Sequence, residues 1–392
     1  MKAWRPALPA VGQVLWTAAL LGAVAAFCIR QSAPANGDDF VQDYVSARAF
    51  LAGEPPYQDA AGLRERFGFP PHGQPLALNP HPPLAVLLVV PFAAFPFSTA
   101  LLAYQVVQVV CLAWAWNGAC RTFARGGWLA ATFGGLVGAW SPVWQGLDWG
   151  QPVGFVALAT LLLWRAARGS PPAGIAGVTL ALACCLRPFY AIVLASAVRW
   201  PLRRWFLEGI AAVAIAALIF AVARLSPLEW VKNGSAVGEQ FATQCGSIPG
   251  VLGLTGLKGL ICYGLAAIGV AVACWRSAPA DTTLAAAFVL GLLTYPLAWF
   301  HYDVALIPVL VWVVATAHAL GQSRALFLTA LYVALRMVPN MAGNESAQQW
   351  LQVAARACLF AAVLFVARAR APREPESPSA SPSGHPSTRA DE

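Results

Sequence analysis

The chain has 392 residues, 59% of them hydrophobic and only 11% charged, where a soluble protein carries about 25%. Charge this sparse cannot cover a water-facing surface, which excludes a set of soluble domains and leaves lipid as the solvent for most of the exterior. The net charge of +8 is carried by arginine, with only three lysines (Lys2, Lys232 and Lys258), and no basic run or aromatic-basic platform forms, so nucleic acid is excluded as a partner and the positive charge is left to orient the chain in a bilayer.

A bilayer core takes about 20 apolar residues per helix, fewer for a half-length segment. Apolar runs fall near 11–29, 98–119, 128–146, 152–166, 172–186, 188–199, 205–223, 259–275, 281–299, 302–319, 325–339 and 351–367. The chain is therefore expected to be an all-α polytopic integral membrane protein with about 12 transmembrane or half-membrane helices. The first run is read as a retained helix, because no small-x-small cleavage site follows it cleanly. A further run, 83–95, is bracketed by Pro80, Pro82, Pro83 and Pro96 and is too short to span. It is expected to be re-entrant or broken, which is tolerated where protein surrounds it.

Arginines cluster in alternate short loops, at Arg121/Arg125, Arg165/Arg168, Arg199/Arg203/Arg204, Arg276, Arg324 and Arg368/Arg370/Arg373. One topology places all of them in the cytoplasm with both termini inside, in a cell (inner) membrane. It requires 172–199 to be a pair of short helices. Residues 1–370 then form one transmembrane domain. Residues 371–392, rich in proline and serine without apolar periodicity, are expected to be a disordered cytoplasmic tail. Cysteines sit mostly inside apolar runs, as at Cys184, Cys185, Cys262 and Cys274, so neither a disulfide framework nor a metal site is expected.

Acidic residues are few enough for their placement to be informative. Of the seventeen, four lie in the tail and six (Asp38, Asp39, Asp43, Glu54, Asp59 and Glu65) crowd into the first outer loop, 30–80. Within that loop, residues 38–53 read as an interfacial helix, capped by Asn36 or Asp38 and stopped by Gly53. Phe40, Tyr44, Ala47 and Leu51 fall on one side. Asp39 and Asp43, four apart, share another and can aim at one site above the lipid. A plain anchor helix with solvated acids fits the same pattern.

Four further motifs follow along the chain. Asn79-Pro-His-Pro-Pro is stiff and fixes a bend, and His81 reads equally as an exposed loop histidine. Trp144 to Gln151 mixes glycine, amide, carboxylate and indole, a set suited to a sugar or headgroup, and also to an aromatic belt. Arg187-Pro188 places an arginine between two short apolar helices, where it must face a cavity, meet an anion or pair with an acid such as Asp148. Trp299-Phe-His-Tyr-Asp303 puts a histidine beside a carboxylate, a pair able to handle a proton or bind phosphate.

In this order the motifs resemble glycosyltransferase family 87, polyprenyl-phosphate-mannose-dependent α-mannosyltransferases of the GT-C membrane fold. The resemblance rests on Asp39-Phe-x-x-Asp-Tyr-x-x-Ala-x-x-x-Leu-x-Gly53 with Tyr57, on Asn79-Pro-x-Pro-Pro-Leu with Pro91, and on Gly150-Gln151, Arg187-Pro188 and Trp299-x-His301. It covers about 38–320, and it departs from the family at Arg187-Pro188, where Lys-Pro is more frequent.

The resemblance implies transfer of a hexose, mannose first, from a polyprenyl-phosphate donor to a hydroxyl of a glycan, glycolipid or polysaccharide at the outer face, with inversion. It implies an aspartate of the first outer loop as general base, Asp39 first and Asp43 second as a partner that orients or tunes it, with the adjacent Asp38 leaving the choice open, and Arg187 and His301 on the donor phosphate. Tyr44, Trp149, Gln151 and Trp299 would hold sugar or acceptor. Positive charge on the phosphate replaces a metal, and no cofactor is expected. A transporter or lipid flippase, with Arg187, Arg336 and Arg356 lining a path, is the alternative from another class. A noncatalytic partner in envelope assembly is the third.

Overall fold

A computed structural model describes residues 38–69, 79–123, 140–169, 171–241, 245–276, 278–337 and 345–370. The expected run 11–29, most of 128–146 and the tail from 371 lie outside the described residues. Among the described residues every regular element is helical. In chain order these are α1 (Asp38–Leu51), α2 (Ala60–Arg66), α3 (Pro83–Val89), α4 (Phe97–Phe123), α5 (Ser141–Asp148), α6 (Val153–Arg168) and α7 (Ile175–Leu186). A 3-10 helix, Pro188–Arg199, leads to α8 (Leu202–Val222), α9 (Pro227–Phe241), the single turn α10 (Ile248–Val251), α11 (Gly256–Trp275) and α12 (Ala280–Thr294). A second 3-10 segment, Phe300–Leu306, runs directly into α13 (Ile307–Ala319), followed by α14 (Ser323–Met337) and α15 (Glu345–Arg370).

Among the described residues five helical stretches are long and apolar enough to cross a bilayer: Phe97–Phe123, Leu202–Val222, Gly256–Trp275, Phe300–Ala319 and Ser346–Arg370. The chain is an all-α membrane protein. Many of the expected runs return as shorter helices. At 16 residues, α6 extends about 24 Å at 1.5 Å per residue, less than a bilayer core of about 30 Å. The segment 172–199 is indeed a pair, Ile175–Leu186 and Pro188–Arg199, and 83–95 is the seven-residue α3 followed by turns.

The outermost helices show what they face. Ile210, Val213 and Leu218 on α8, and Leu257, Leu265 and Ile268 on α11, are all exposed, as lipid-facing side chains must be. Buried at the centre is α13, with Val309, Leu310, Val311, Trp312 and Val313 in the main core together with α6, α12 and α15. A second, aromatic core holds Phe40, Tyr44 and Val45 of α1 against Val89, Leu101 and Tyr104.

α1 does not have a single apolar side. Phe40, Val41, Asp43, Tyr44, Val45, Ser46, Ala47 and Ala49 are all buried, so protein covers most of its circumference, while Leu51, expected on the apolar face, is 50% exposed.

Where polar side chains enter the apolar layers they close backbone gaps. Gln108, in the middle of α4, is buried and accepts the free first-turn N–H groups of Gly154 (2.7 Å) and Phe155 (3.2 Å) on α6. Gly154 permits this approach, since a Cβ there would collide with the Gln108 backbone. Gln108→Leu strands two buried donors, at about 1–3 kcal/mol each. Thermal unfolding of the purified protein in detergent should register that loss as a clearly lowered midpoint.

Candidate active site

The site is built from the ends of short elements. α5 begins with Pro142 in its first turn and stops at Gly150, which adopts the left-handed conformation (φ +72°). The closing bonds, Gly150 N–H to Leu147 O (3.0 Å) and Gln151 N–H to Gly146 O (2.7 Å), form the usual glycine-terminated helix end. A Cβ at Gly150 would strike the Phe40 side chain, so glycine serves both the turn and the close passage of α1. α1 docks there through its own free first-turn N–H: Phe40 donates to Trp149 O at 3.0 Å.

This docking sets the side chains of α1 against Gln151 and the Asn79-to-Pro83 segment. Gln151 Nε2 donates to Asp39 Oδ2 at 2.7 Å and lies 3.4 Å from His81 Nε2. Arg187 Nη2 donates to Gln151 Oε1. His81 Nδ1 is 2.9 Å from both carboxylate oxygens of Asp43, and Asn79 Nδ2 donates to Asp43 Oδ1 at 3.0 Å and to Ser46 Oγ at 3.1 Å. Asn79 Oδ1 takes the His81 N–H at 2.9 Å, and Tyr57 Oη donates to His81 O at 2.8 Å. One hydrogen assignment satisfies the whole set: His81 donates from Nδ1 to Asp43 and leaves Nε2 as an acceptor for the Gln151 amide.

The two aspartates thus differ in station. Asp43 is 1% exposed and held by His81 and Asn79. Asp39 is half-buried and, among the described residues, receives one hydrogen bond, from Gln151. Burial, the largest influence, holds the Asp39 carboxyl above its ordinary value, and neighbouring Asp43 pushes the same way; His81, Gln151 and Arg187 only partly offset this.

Arg187 owes its place to Pro188. A residue before proline is driven out of the helical region, and Arg187 ends α7 in an extended conformation (φ −154°). It is 1% exposed, its guanidinium lies 4.9 Å from the Tyr302 ring centroid, and its buried Nε has no hydrogen-bond partner. Asp148 is not its partner; Gln151 is.

His301 packs edge-on against the same Tyr302 ring (4.8 Å) and lies near Trp149 (6.0 Å) and Trp299 (6.5 Å, nearly parallel). Both ring nitrogens are buried without a hydrogen-bond partner. Asp39, Arg187, His301, Trp149, Gln151 and Trp299 therefore come together. Tyr44 does not join them: it sits in the aromatic core with Phe97 and Phe69, and its hydroxyl donates to Phe95 O at 2.8 Å.

His301 and Asp303 are not a pair. On the 3-10 segment two residues' separation sends them apart, and Asp303 faces Arg356 (2.6 Å), Arg336 (2.7 Å) and the Tyr332 hydroxyl (3.2 Å), all buried. The same arginines grip the backbone around His301, with Arg356 Nη2 donating to Trp299 O (3.1 Å) and Arg336 Nη2 to Phe300 O (2.9 Å). Arg336 and Arg356 are thus closed onto an acid and a loop and do not line a path, as a transporter would need.

His81 was the residue hardest to see in the sequence. Only its place between prolines, which denies it a regular helix and turns it inward, hinted at a role. Among the described residues no group of three His, Cys, Asp or Glu side chains could hold a metal.

A family model described as Glycosyltransferase family 87 matches residues 79–298, more than half of the chain. The matched stretch contains Asn79, His81, Gln151 and Arg187, while Asp39, Asp43 and His301 flank it. No curated protein matches the chain, and no solved structure does.

Asp303→Leu removes the acid that faces both buried arginines, and breaking a buried pair costs about 3–5 kcal/mol. Its thermal midpoint should fall well below that of a conservative surface variant, and limited proteolysis should open the 299–306 segment first.

Proposed function

The chain belongs to glycosyltransferase family 87, and we propose that it transfers a hexose, mannose in the first instance, from a polyprenyl-phosphate donor to an acceptor hydroxyl at the outer face of a cell membrane. The fold is of the GT-C type, with α1 as an element of the first outer loop. The arginine-rich loops lie in the cytoplasm, on the opposite side from the site. The acceptor is a glycan, glycolipid or polysaccharide.

The observation that carries this reading is the pairing of unlike vacancies in one buried place. Arg187 Nε and both His301 nitrogens lack partners, while Asp39 keeps carboxylate capacity beyond its bond from Gln151. Unbonded donors in an apolar setting favour an anion, and the guanidinium suits phosphate oxygens. The acceptor oxygen attacks the anomeric carbon as the bond to the phosphate oxygen breaks. The hydroxyl proton passes to Asp39, and the electron pair of the broken bond leaves with the polyprenyl phosphate, where Arg187 and His301 stabilise it. One displacement inverts the anomeric centre. Trp149 and Trp299, both close to His301, supply the aromatic surface for the sugar.

Gln151 serves as a bridge more than as a sugar ligand, because its amide is already divided between Asp39 and Arg187. Asp43 is a positioning residue that holds His81, with both oxygens engaged by the imidazole.

The test is purified protein in lipid, given synthetic polyprenyl-phosphate sugars and an acceptor mixture, with release of polyprenyl phosphate as the readout. Asp39→Asn should cut transfer by about 10²–10⁴-fold, the usual range for a general base, with donor binding retained. Full activity in that variant would remove Asp39 from the role. A base works deprotonated, so transfer should rise with pH through the Asp39 ionisation. Because burial raises that ionisation, the acid limb should lie above the range of a solvated aspartate. A pH–rate profile of the wild-type protein measures this directly.

A further inference from the structure

At the opposite end of the site's own helices, α6, α7, the Pro188–Arg199 helix and α8 leave a small apolar groove between them. From Arg187 to Ala197 the 3-10 rise of about 2 Å per residue separates it from the site by roughly 20 Å. Much of its wall is small, including Ala166, Ala167, Ala176, Gly209 and Ala212, which leaves a trough beside the tight contact where Gly177 meets the Glu208 backbone. Trp200 and Trp205 flank the trough with ring centroids 6.0 Å apart, and the Arg204 guanidinium lies 4.3 Å from the Trp200 ring centroid.

One acid lines this apolar space. Glu208 is 4% exposed, and its Oε2 accepts the first-turn Gly177 N–H of α7 at 2.6 Å. Its Oε1 has no hydrogen-bond partner; Arg204 Nε, at 3.8 Å, supplies charge without a hydrogen bond. Arg204 Nη2 is also buried and unpartnered. A carboxylate oxygen and a guanidinium nitrogen left unbonded beside an apolar trough call for a ligand with a cationic donor, an anionic acceptor and a hydrocarbon chain. A fatty acid or an acidic phospholipid without an amine meets Arg204 and leaves Glu208 unmet. An amine-bearing phospholipid meets both.

We infer that this groove binds one aminophospholipid, its phosphate on Arg204, its ammonium on Glu208 Oε1 and one acyl chain along Ala176, Gly209 and Ala212. The positive charges of Arg199 and Arg203, close by in the chain, add to the attraction for the phosphate. The site is separate from sugar transfer and does not depend on the donor or acceptor proposed above.

Native mass spectrometry of the full chain, titrated with phosphatidylethanolamine, phosphatidylglycerol or polyprenyl phosphate, tests it. Wild type should bind one phosphatidylethanolamine about tenfold tighter than phosphatidylglycerol, the scale of one charge-assisted hydrogen bond. A Cβ at Gly209 meets nothing within 4 Å, so Gly209→Leu should fold normally while filling the trough and losing that one lipid. Glu208→Gln can still accept from Gly177 and should keep the lipid but lose the preference for the amine. Equal binding of the two phospholipids by wild type would overturn the assignment. So would an unchanged preference in Glu208→Gln, an unchanged phosphatidylethanolamine count in Gly209→Leu, or a loss of polyprenyl phosphate binding in Gly209→Leu. Should Gly209→Leu not fold, the Glu208→Gln comparison decides alone.

Discussion

The Gln151 side chain offers its nitrogen to a carboxylate and its oxygen to a guanidinium, and the remaining amide hydrogen points at a histidine. Only one orientation of the amide satisfies all three neighbours. Turned over, its oxygen would oppose Asp39 and its nitrogen would oppose Arg187. In a buried place such a reversal costs far more than in water, because no solvent replaces the lost bonds. The register of three separate pieces of chain, α1, the Asn79–Pro83 segment and the α7–Pro188 break, therefore depends on one amide. That amide depends in turn on the left-handed Gly150, which lets Gln151 leave the end of α5 beside α1.

A wider rule runs through the interior. In a bilayer no water reaches an unsatisfied polar group, so each polar side chain that enters the apolar layers must find protein. Gln108 closes the start of α6, Glu208 closes the start of α7, and Asp303 gathers two arginines that hold the loop around His301. These groups bind backbone and one another. Among the buried polar atoms left without a partner, Arg187 Nε and the His301 nitrogens share one place, and Glu208 Oε1 and Arg204 Nη2 share another.

Much of the architecture was legible in advance because apolar run length is a direct readout of lipid contact. Apart from 128–146, most of which lies outside the described residues, the runs from 98 onward return as helices, and Pro188 divides 172–199 where a proline must. Pairings were less legible. His301 and Asp303 looked like partners from their spacing, but the 3-10 backbone turns them to different neighbours. Tyr44 shared a helix with the two acids, yet its ring faces the aromatic core. His81 looked like a loop residue and is the donor that holds Asp43. Each of these outcomes depends on residues distant in the chain, which periodicity along one element cannot report.

Composition by itself determined that this chain lives in lipid, and the scarcity of acids determined that α1 would matter, since a carboxylate beside a membrane is costly unless it has work to do. Helix ends at Gly150 and Arg187-Pro188 were likewise written in local backbone chemistry. Which aspartate stands free and which is locked was decided only by tertiary structure. Asp39 and Asp43 are the same residue one helical turn apart; one meets a single amide, the other a histidine and an asparagine brought from 36 to 38 residues away. The physical reason is that a carboxylate's capacity to accept a proton depends on what already occupies its oxygens, and that is a property of packing.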